Sequence, residues 1–153
     1  MLTRERTTTM AALSVRIALA AGFLSAVADR FGLWGSANTP GVAWGGFASF
    51  VTYTGTLLWF LPAGLVSAAA WAATVAEVVL AIGLLIGVQL RWVGLASGLL
   101  LSIFALTMTF ALGPEPALSY SVWAAAAAAF LLASLPPTAV EEKTPSMDHR
   151  HDR

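Results

Sequence analysis

The sequence predicts an all-α polytopic membrane protein: a four-transmembrane-helix bundle with an interfacial or re-entrant aromatic segment between the first and second spans. Three observations predict it. Hydrophobic residues make up 58% of the chain and charged residues only 10%, where a soluble domain carries about 25% charged residues. The charges gather in residues 4–6 and 141–153, so that roughly 130 residues between them hold only a handful of ionisable groups. The apolar runs in that stretch approach the ~20 residues needed to cross a hydrocarbon core of ~30 Å.

Residues 1–9 carry Arg4 and Arg6 and read as a short polar N-terminal tail. The first span is expected over residues 10–28, interrupted by Arg16 and closed by Asp29 and Arg30, with residues 31–35 available for one further turn. Ala26, Val27 and Ala28 also fit the small-x-small pattern of a cleavage site. Arg16 inside the apolar region, and the length of that region, weigh against a signal peptide.

Residues 32–61 form a long connection almost free of charge, punctuated by Gly, Pro, Asn and Thr around residues 35–41. Its second half holds Trp44, Phe47, Phe50, Tyr53, Trp59 and Phe60, and Trp44, Phe47, Phe50 or Val51, and Thr54 recur at helical spacing. The piece is short and broken by glycines. An interfacial or re-entrant helix is therefore expected over residues 43–60, since Trp and Tyr favour the headgroup level. A fifth span is the alternative.

Pro62 opens the second span, at a position where a missing N–H is harmless. It runs to residue 88 with Glu77 near its middle. A tight turn at residues 89–91 leads to the third span, 92–112, which Gly113-Pro114-Glu115-Pro116 ends. The fourth span, 118–135, contains an alanine run at 124–129 and stops at Pro136-Pro137. The three parts are thus an N-terminal tail (1–9), a four-helix membrane domain (10–135) and a charged C-terminal tail (136–153), which is expected to be disordered. Lys and Arg concentrate in the two tails and at Arg91, while the opposite side holds only Arg30. Both termini are therefore expected in the cytoplasm, with the aromatic loop and the Glu115 turn outside. The Ala/Gly/Val bias and small size fit a multi-pass protein of a bacterial inner membrane.

Composition excludes several function classes. Formal net charge is zero, which gives no footprint for nucleic acid. The absence of cysteine removes disulfides, thiol catalysis, Fe–S clusters and cysteine zinc sites. The only histidines, His149 and His151, lie in the C-terminal tail, so an intramembrane haem with His ligands is excluded. A flexible tail is a poor metal site, and no metal is expected. Gly94/Gly98 and Ala68/Ala72 form small-xxx-small pairs, a spacing that favours close helix contacts in lipid. Abundant Ala and Gly would also produce such pairs by chance.

A charge at the bilayer centre is unfavourable by ~2.5–3.5 kcal/mol on insertion scales, so Arg16 and Glu77 stand out. Arg16 lies about six residues, or ~9 Å, above the cytoplasmic end of its span. Glu77 lies about eleven residues, or ~16 Å, above the same end of the antiparallel second span. A long arginine side chain covers that difference, and an Arg16–Glu77 contact is expected. It reads either as a structural staple or as a functional polar centre in which Glu77 carries a proton or contacts a ligand. Asp29 and Arg30 read as interfacial anchors, or else as the mouth of a pocket covered by the aromatic loop. In that pocket Trp34, Trp44 and Tyr53 could stack on a flat ligand such as a quinone ring. As belt residues, the same aromatics would simply mark the headgroup level.

Four stretches carry a family resemblance: FLSAVADRFGLWG, TPGVAWGGFASFVTYTG, WAATVAEVVLAIGLLIGVQLRW and YSVWAAAAAAFLLAS. Together with Arg16, and with Glu77 followed by Gly83, Gly87 and Arg91, they make residues 12–135 resemble a DoxX-family membrane protein. The resemblance implies a four-helix membrane bundle and a link to quinone-dependent oxidoreduction, as an accessory subunit without catalysis of its own. Any cofactor, such as a quinone, would bind noncovalently. The expected partners are the lipid bilayer and other proteins of a membrane complex. A scaffold without chemistry and a small transporter are the other function classes the sequence admits. Transporters carry broken helices and several polar groups at midplane, and this chain offers chiefly Arg16 and Glu77.

Overall fold

The structure, a computed structural model, describes residues 2–136. Among them six helices follow in chain order and no strand occurs. Helix α1 spans Leu2–Arg30, α2 Phe47–Leu57, α3 Ala63–Ile86, α4 Leu90–Leu112, α5 Pro114–Ser119 and α6 Val122–Ser134. Residues 137–153, with His149 and His151, lie outside the described residues.

Helix α1 runs unbroken for 29 residues, about 43 Å. The expected N-terminal tail is therefore helical from Leu2 onward. Residues 2–30 contain no proline, and Glu5 in the first turn and Arg30 in the last complement the helix dipole. Helix α3 starts after Pro62, which sits extended at φ −66° and ψ 149°. It ends at Gly87, whose φ of +82° is a left-handed cap suited to glycine, and the Gly87 N–H donates to the Gly83 carbonyl. Gln89 turns the chain into α4, and Gly113 closes α4 as expected.

The expected fourth span, 118–135, is broken. Pro114 at the first position of α5 restarts the helix directly after Gly113, and Ser121, at φ +55°, separates α5 from α6. Helix α6 has 13 residues, about 20 Å. Three helices are long and apolar enough to cross a membrane, over Glu5–Arg30, Ala63–Ile86 and Leu90–Leu112; Val122–Ser134 is a shorter apolar helix. The aromatic segment forms α2 with 11 residues, about 16 Å, too short to span.

Two helix pairs organise the bundle. Helix α1 packs along α3, and α4 packs along α6. The α3–α4 turn and a contact between α1 and α6 join the pairs, and α2 leans on α3 and α4. The α4–α6 contact explains one small-xxx-small pair. A Cβ on Gly94 would stand 3.0 Å from the Ala129 carbonyl oxygen, and one on Gly98 would stand 2.6 Å from the Phe130 ring. The two glycines let the backbones approach. The other pair, Ala68 and Ala72, lies on the exposed face of α3.

The start of α1, the end of α3, the start of α4 and the end of α6 meet at one end of the bundle, the proximal end. Ala12, Leu19, Ala20, Phe23, Ala81, Leu84, Leu90, Ala129 and Leu132 form an apolar core there. A smaller cluster of Ala105, Met108 and Ala117 fills the distal end. Large apolar side chains also point outward, among them Val79, Ile82, Leu85, Ile103 and Phe110.

Candidate functional site

The site is built where α1 stops. Arg16 fixes the register of α1 against α3 near the proximal end. Its Nε donates to the Leu84 carbonyl at 2.9 Å, and its Nη2 donates to the Leu85 carbonyl at 3.2 Å. These are carbonyls of the last turn of α3, which have no partner inside their own helix. A cation at a helix C-terminus also meets the negative end of the dipole. The side chain lies so close to Gly87 that a Cβ there would be 2.5 Å from Nη2.

Fourteen residues further along α1, about 21 Å, Arg30 reaches the middle of α3. Its Nη2 donates to Glu77 Oε1 at 2.7 Å, and its Nη1 donates to Thr74 Oγ1 at 2.9 Å. The two partners lie three residues apart and share one face of α3. The ion pair is buried, with side-chain exposures of 3% and 1%. Glu77 therefore pairs with Arg30, and the expected Arg16–Glu77 contact does not form. The reason is depth. Arg16 bonds the last turn of α3 at Leu84 and Leu85, two to three residues lower than the apolar boundaries of the sequence suggest. Arg30 takes the place beside Glu77.

Asp29 and Arg30 are thus not exposed interfacial anchors: they are 6% and 2% exposed. The Asp29 carboxylate accepts three backbone N–H groups of the loop that follows α1. Oδ2 takes Ala43 at 2.8 Å and Trp44 at 3.3 Å, and Oδ1 takes Gly45 at 3.1 Å. Charge-assisted bonds of this kind are worth about 1.5–3 kcal/mol each. Gly45 serves the same turn. Its φ is +62°, and a side chain there would run into the backbone of Ser36 and Ala37. The loop is tied back over the end of α1, and the tie determines where α2 begins.

Helix α2 lays an aromatic cover over the pair. The Arg30 guanidinium sits 3.8 Å from the Phe50 ring centre and 5.4 Å from that of Trp44. A desolvated cation over an aromatic face gains about 2 kcal/mol. Trp44 meets Phe50 edge-on at 5.1 Å and Tyr53 at 6.0 Å, and Phe47 packs on Trp71 of α3 at 4.2 Å. Of the residues expected to surround an outer pocket, Asp29, Arg30, Trp44 and Tyr53 are gathered at this place. Trp34 is not among them. It is 60% exposed, and its Nε1 donates back to the Ser25 carbonyl.

Three buried side-chain atoms among the described residues have no hydrogen-bond partner: Arg30 Nε, Glu77 Oε2 and Ser97 Oγ. An unpaired buried polar group is unfavourable by about 1–3 kcal/mol. Two of the three belong to the ion pair, so the centre keeps one donor and one acceptor in reserve. In their charged forms Asp29, Arg30 and Glu77 sum to −1, and a single proton brings the group to neutrality. The sequence gives no sign of Thr74 or Ser97 as site residues, and shows Phe50 only as part of the aromatic segment. Thr74 has a retrospective signal in its i,i+3 spacing from Glu77, whereas Phe50 and Ser97 depend on tertiary packing alone. No group of three or more metal-ligating side chains occurs among the described residues.

Comparisons with protein-family models, with curated proteins and with solved structures give no match to this chain.

Proposed function

We propose that the chain is a DoxX-like subunit of a redox-linked inner-membrane complex that holds the polar head of a quinone at the Arg30–Glu77 centre. The carrying observation is a fully buried ion pair, halfway along a membrane-length helix, that keeps one unpartnered donor and one unpartnered acceptor. Ionisable groups at membrane depth are functional sites by default. The donor set suits a quinone: Arg30 would hold a ring carbonyl, and Glu77 would hold the hydroxyl of the reduced form. When bound, the quinone supplies the redox chemistry. The chain's part is to orient the head group, exclude water with Trp44, Phe47 and Phe50, and hold a proton at Glu77.

In this proposal α5 and α6 together make the fourth crossing, with both termini on the cytoplasmic side. The proximal position of the α6 end supports that topology, because it returns the chain to the side where α1 begins. Ala68 and Ala72, on an exposed face of α3, give a partner subunit a smooth surface for close approach.

Purification in a mild detergent, followed by extraction and identification of bound lipids, tests the proposal. Quinone is expected in the wild type and is expected to be lost in Glu77→Gln, with the quinone content referred to the amount of folded protein recovered. A soluble-headed ubiquinone analogue should quench tryptophan fluorescence in the wild type, and less so in Trp44→Phe, where Trp71 beside Phe47 remains. Quinone-free wild-type protein with unquenched fluorescence would contradict the proposal.

A further inference from the structure

Ser97 is the one feature of the core that neither the fold nor the ion pair explains. It is completely buried on α4, and its hydroxyl has no partner. Hydroxyls in helices usually bond the carbonyl four residues back. Thr54, Thr74, Ser102 and Thr109 all do so here, to Phe50, Ala70, Gly98 and Ala105. The Ser97 hydroxyl does not, and it is left free to bond a group outside its own helix.

Register shows what it faces. Across the α3–α4 turn, Gly83 stands against Val93. Counting six residues from each along the two antiparallel helices brings Glu77 level with Leu99, so Ser97 lies about 3 Å away in depth. On α4, Val93 faces α3, while Gly94 faces Ala129 and Ala133 of α6. Ser97 follows Val93 by four residues and Gly94 by three, so it projects between those two directions, toward the bundle axis. Glu77, on the adjacent helix, leaves Oε2 unpartnered at the same level. The two side chains make no direct hydrogen bond. A water molecule, which donates and accepts, would satisfy both.

We propose that Ser97 and Glu77 share an internal water on the bundle axis, which makes Ser97 a positioning residue for Glu77 Oε2. The water gives the carboxylate a hydrogen-bonding neighbour on α4 and couples the two helix pairs through a polar contact. The inference deepens the proposed role of Glu77, but its geometry stands whether or not a quinone binds.

The test uses the full chain in lipid nanodiscs, labelled with 13C-glutamate and without added quinone. Infrared spectroscopy assigns the Glu77 carboxyl band as the one lost in Glu77→Gln. In Ser97→Ala that band is expected to shift, while in Ser102→Ala, whose hydroxyl bonds its own helix, it stays in place. An unmoved band in Ser97→Ala, or a raised Tm showing that a hydroxyl without any partner had been removed, overturns the proposal. Should Ser97→Ala not fold, Ser97→Thr and Ser97→Val ask the same question at equal volume. The band keeps its wild-type position with Thr and moves with Val, and identical bands in the two variants overturn the proposal. Since no quinone enters this measurement, failure of the quinone test leaves its outcome intact.

Discussion

Helices α1 and α3 are held together at two levels by two arginines of the same helix, and the two contacts work differently. Near the proximal end Arg16 is only partly buried and donates to two main-chain carbonyls. Those carbonyls are orphans of a helix end, and water or another cation could serve them. Halfway up, Arg30 is almost fully buried, and its partner is the buried carboxylate of Glu77. The first contact is replaceable trimming of a helix terminus. The second is mutual, because each charge is tolerated in an apolar interior only while the other is present. A residue that looks the same in sequence thus has a local role in one place and a co-dependent role in the other. The neighbouring Asp29 adds to the asymmetry, since it ties the aromatic cover to the second contact and has no counterpart at the first.

The comparison breaks most visibly at Arg30. Arg30→Met leaves Glu77 buried without compensation, and removing one member of a buried pair costs about 3–5 kcal/mol. Thermal unfolding in detergent should show that loss. The double variant Arg30→Met/Glu77→Met should recover most of it, because both charges are then gone. Asp29→Ala removes the acceptor of three backbone N–H groups and is expected to lose about 2–4 kcal/mol. It should also redden the Trp44 fluorescence as the loop detaches, whereas Asp29→Asn, which keeps one acceptor oxygen, falls between.

Smaller effects sharpen the contrast. Gly98→Ala presses a methyl group into the Phe130 ring and should destabilise the α4–α6 pair by about 1–3 kcal/mol, read as a lowered Tm. Arg16→Ala should cost only about 1–2 kcal/mol, the value of a cation at a favourable helix C-terminus. Gly87→Ala, which forces a side chain into a left-handed cap beside Arg16, should cost a similar ~1–2 kcal/mol. Equal losses in Arg16→Ala and Arg30→Met would erase the distinction between the two levels.

Much of the architecture is legible in the sequence because apolar runs of membrane-crossing length follow simple rules. Apolar runs and their proline and glycine stops place α3 and α4 to within a few residues, and the aromatic segment reads correctly as too short to cross. Helix α1 is longer than its apolar run because the polar residues 3–9 include no helix breaker, so helical structure continues past the hydrophobic boundary. The break between α5 and α6 is illegible because it hangs on a left-handed Ser121, a conformation no local residue demands. Of the site, Glu77 is visible as a charge in an apolar run. Its partner is not legible, because depth counted from hydrophobic boundaries does not fix helix register. Arg16 and Arg30 are 14 residues apart, close to four helical turns, so both lie on the α3-facing side and periodicity alone cannot choose between them.

A double-mutant cycle decides between them directly. Stabilities of the wild type, Arg30→Met, Glu77→Met and the double variant give one coupling energy, and the same cycle with Arg16→Met gives the other. A coupling above about 3 kcal/mol is expected for Arg30 with Glu77, since each single variant leaves the other charge unpaired at about 3–5 kcal/mol and the double variant recovers most of that loss. Additivity within about 0.5 kcal/mol is expected for Arg16 with Glu77. Strong coupling of Arg16 to Glu77, with Arg30 additive, would contradict the buried centre described for this protein.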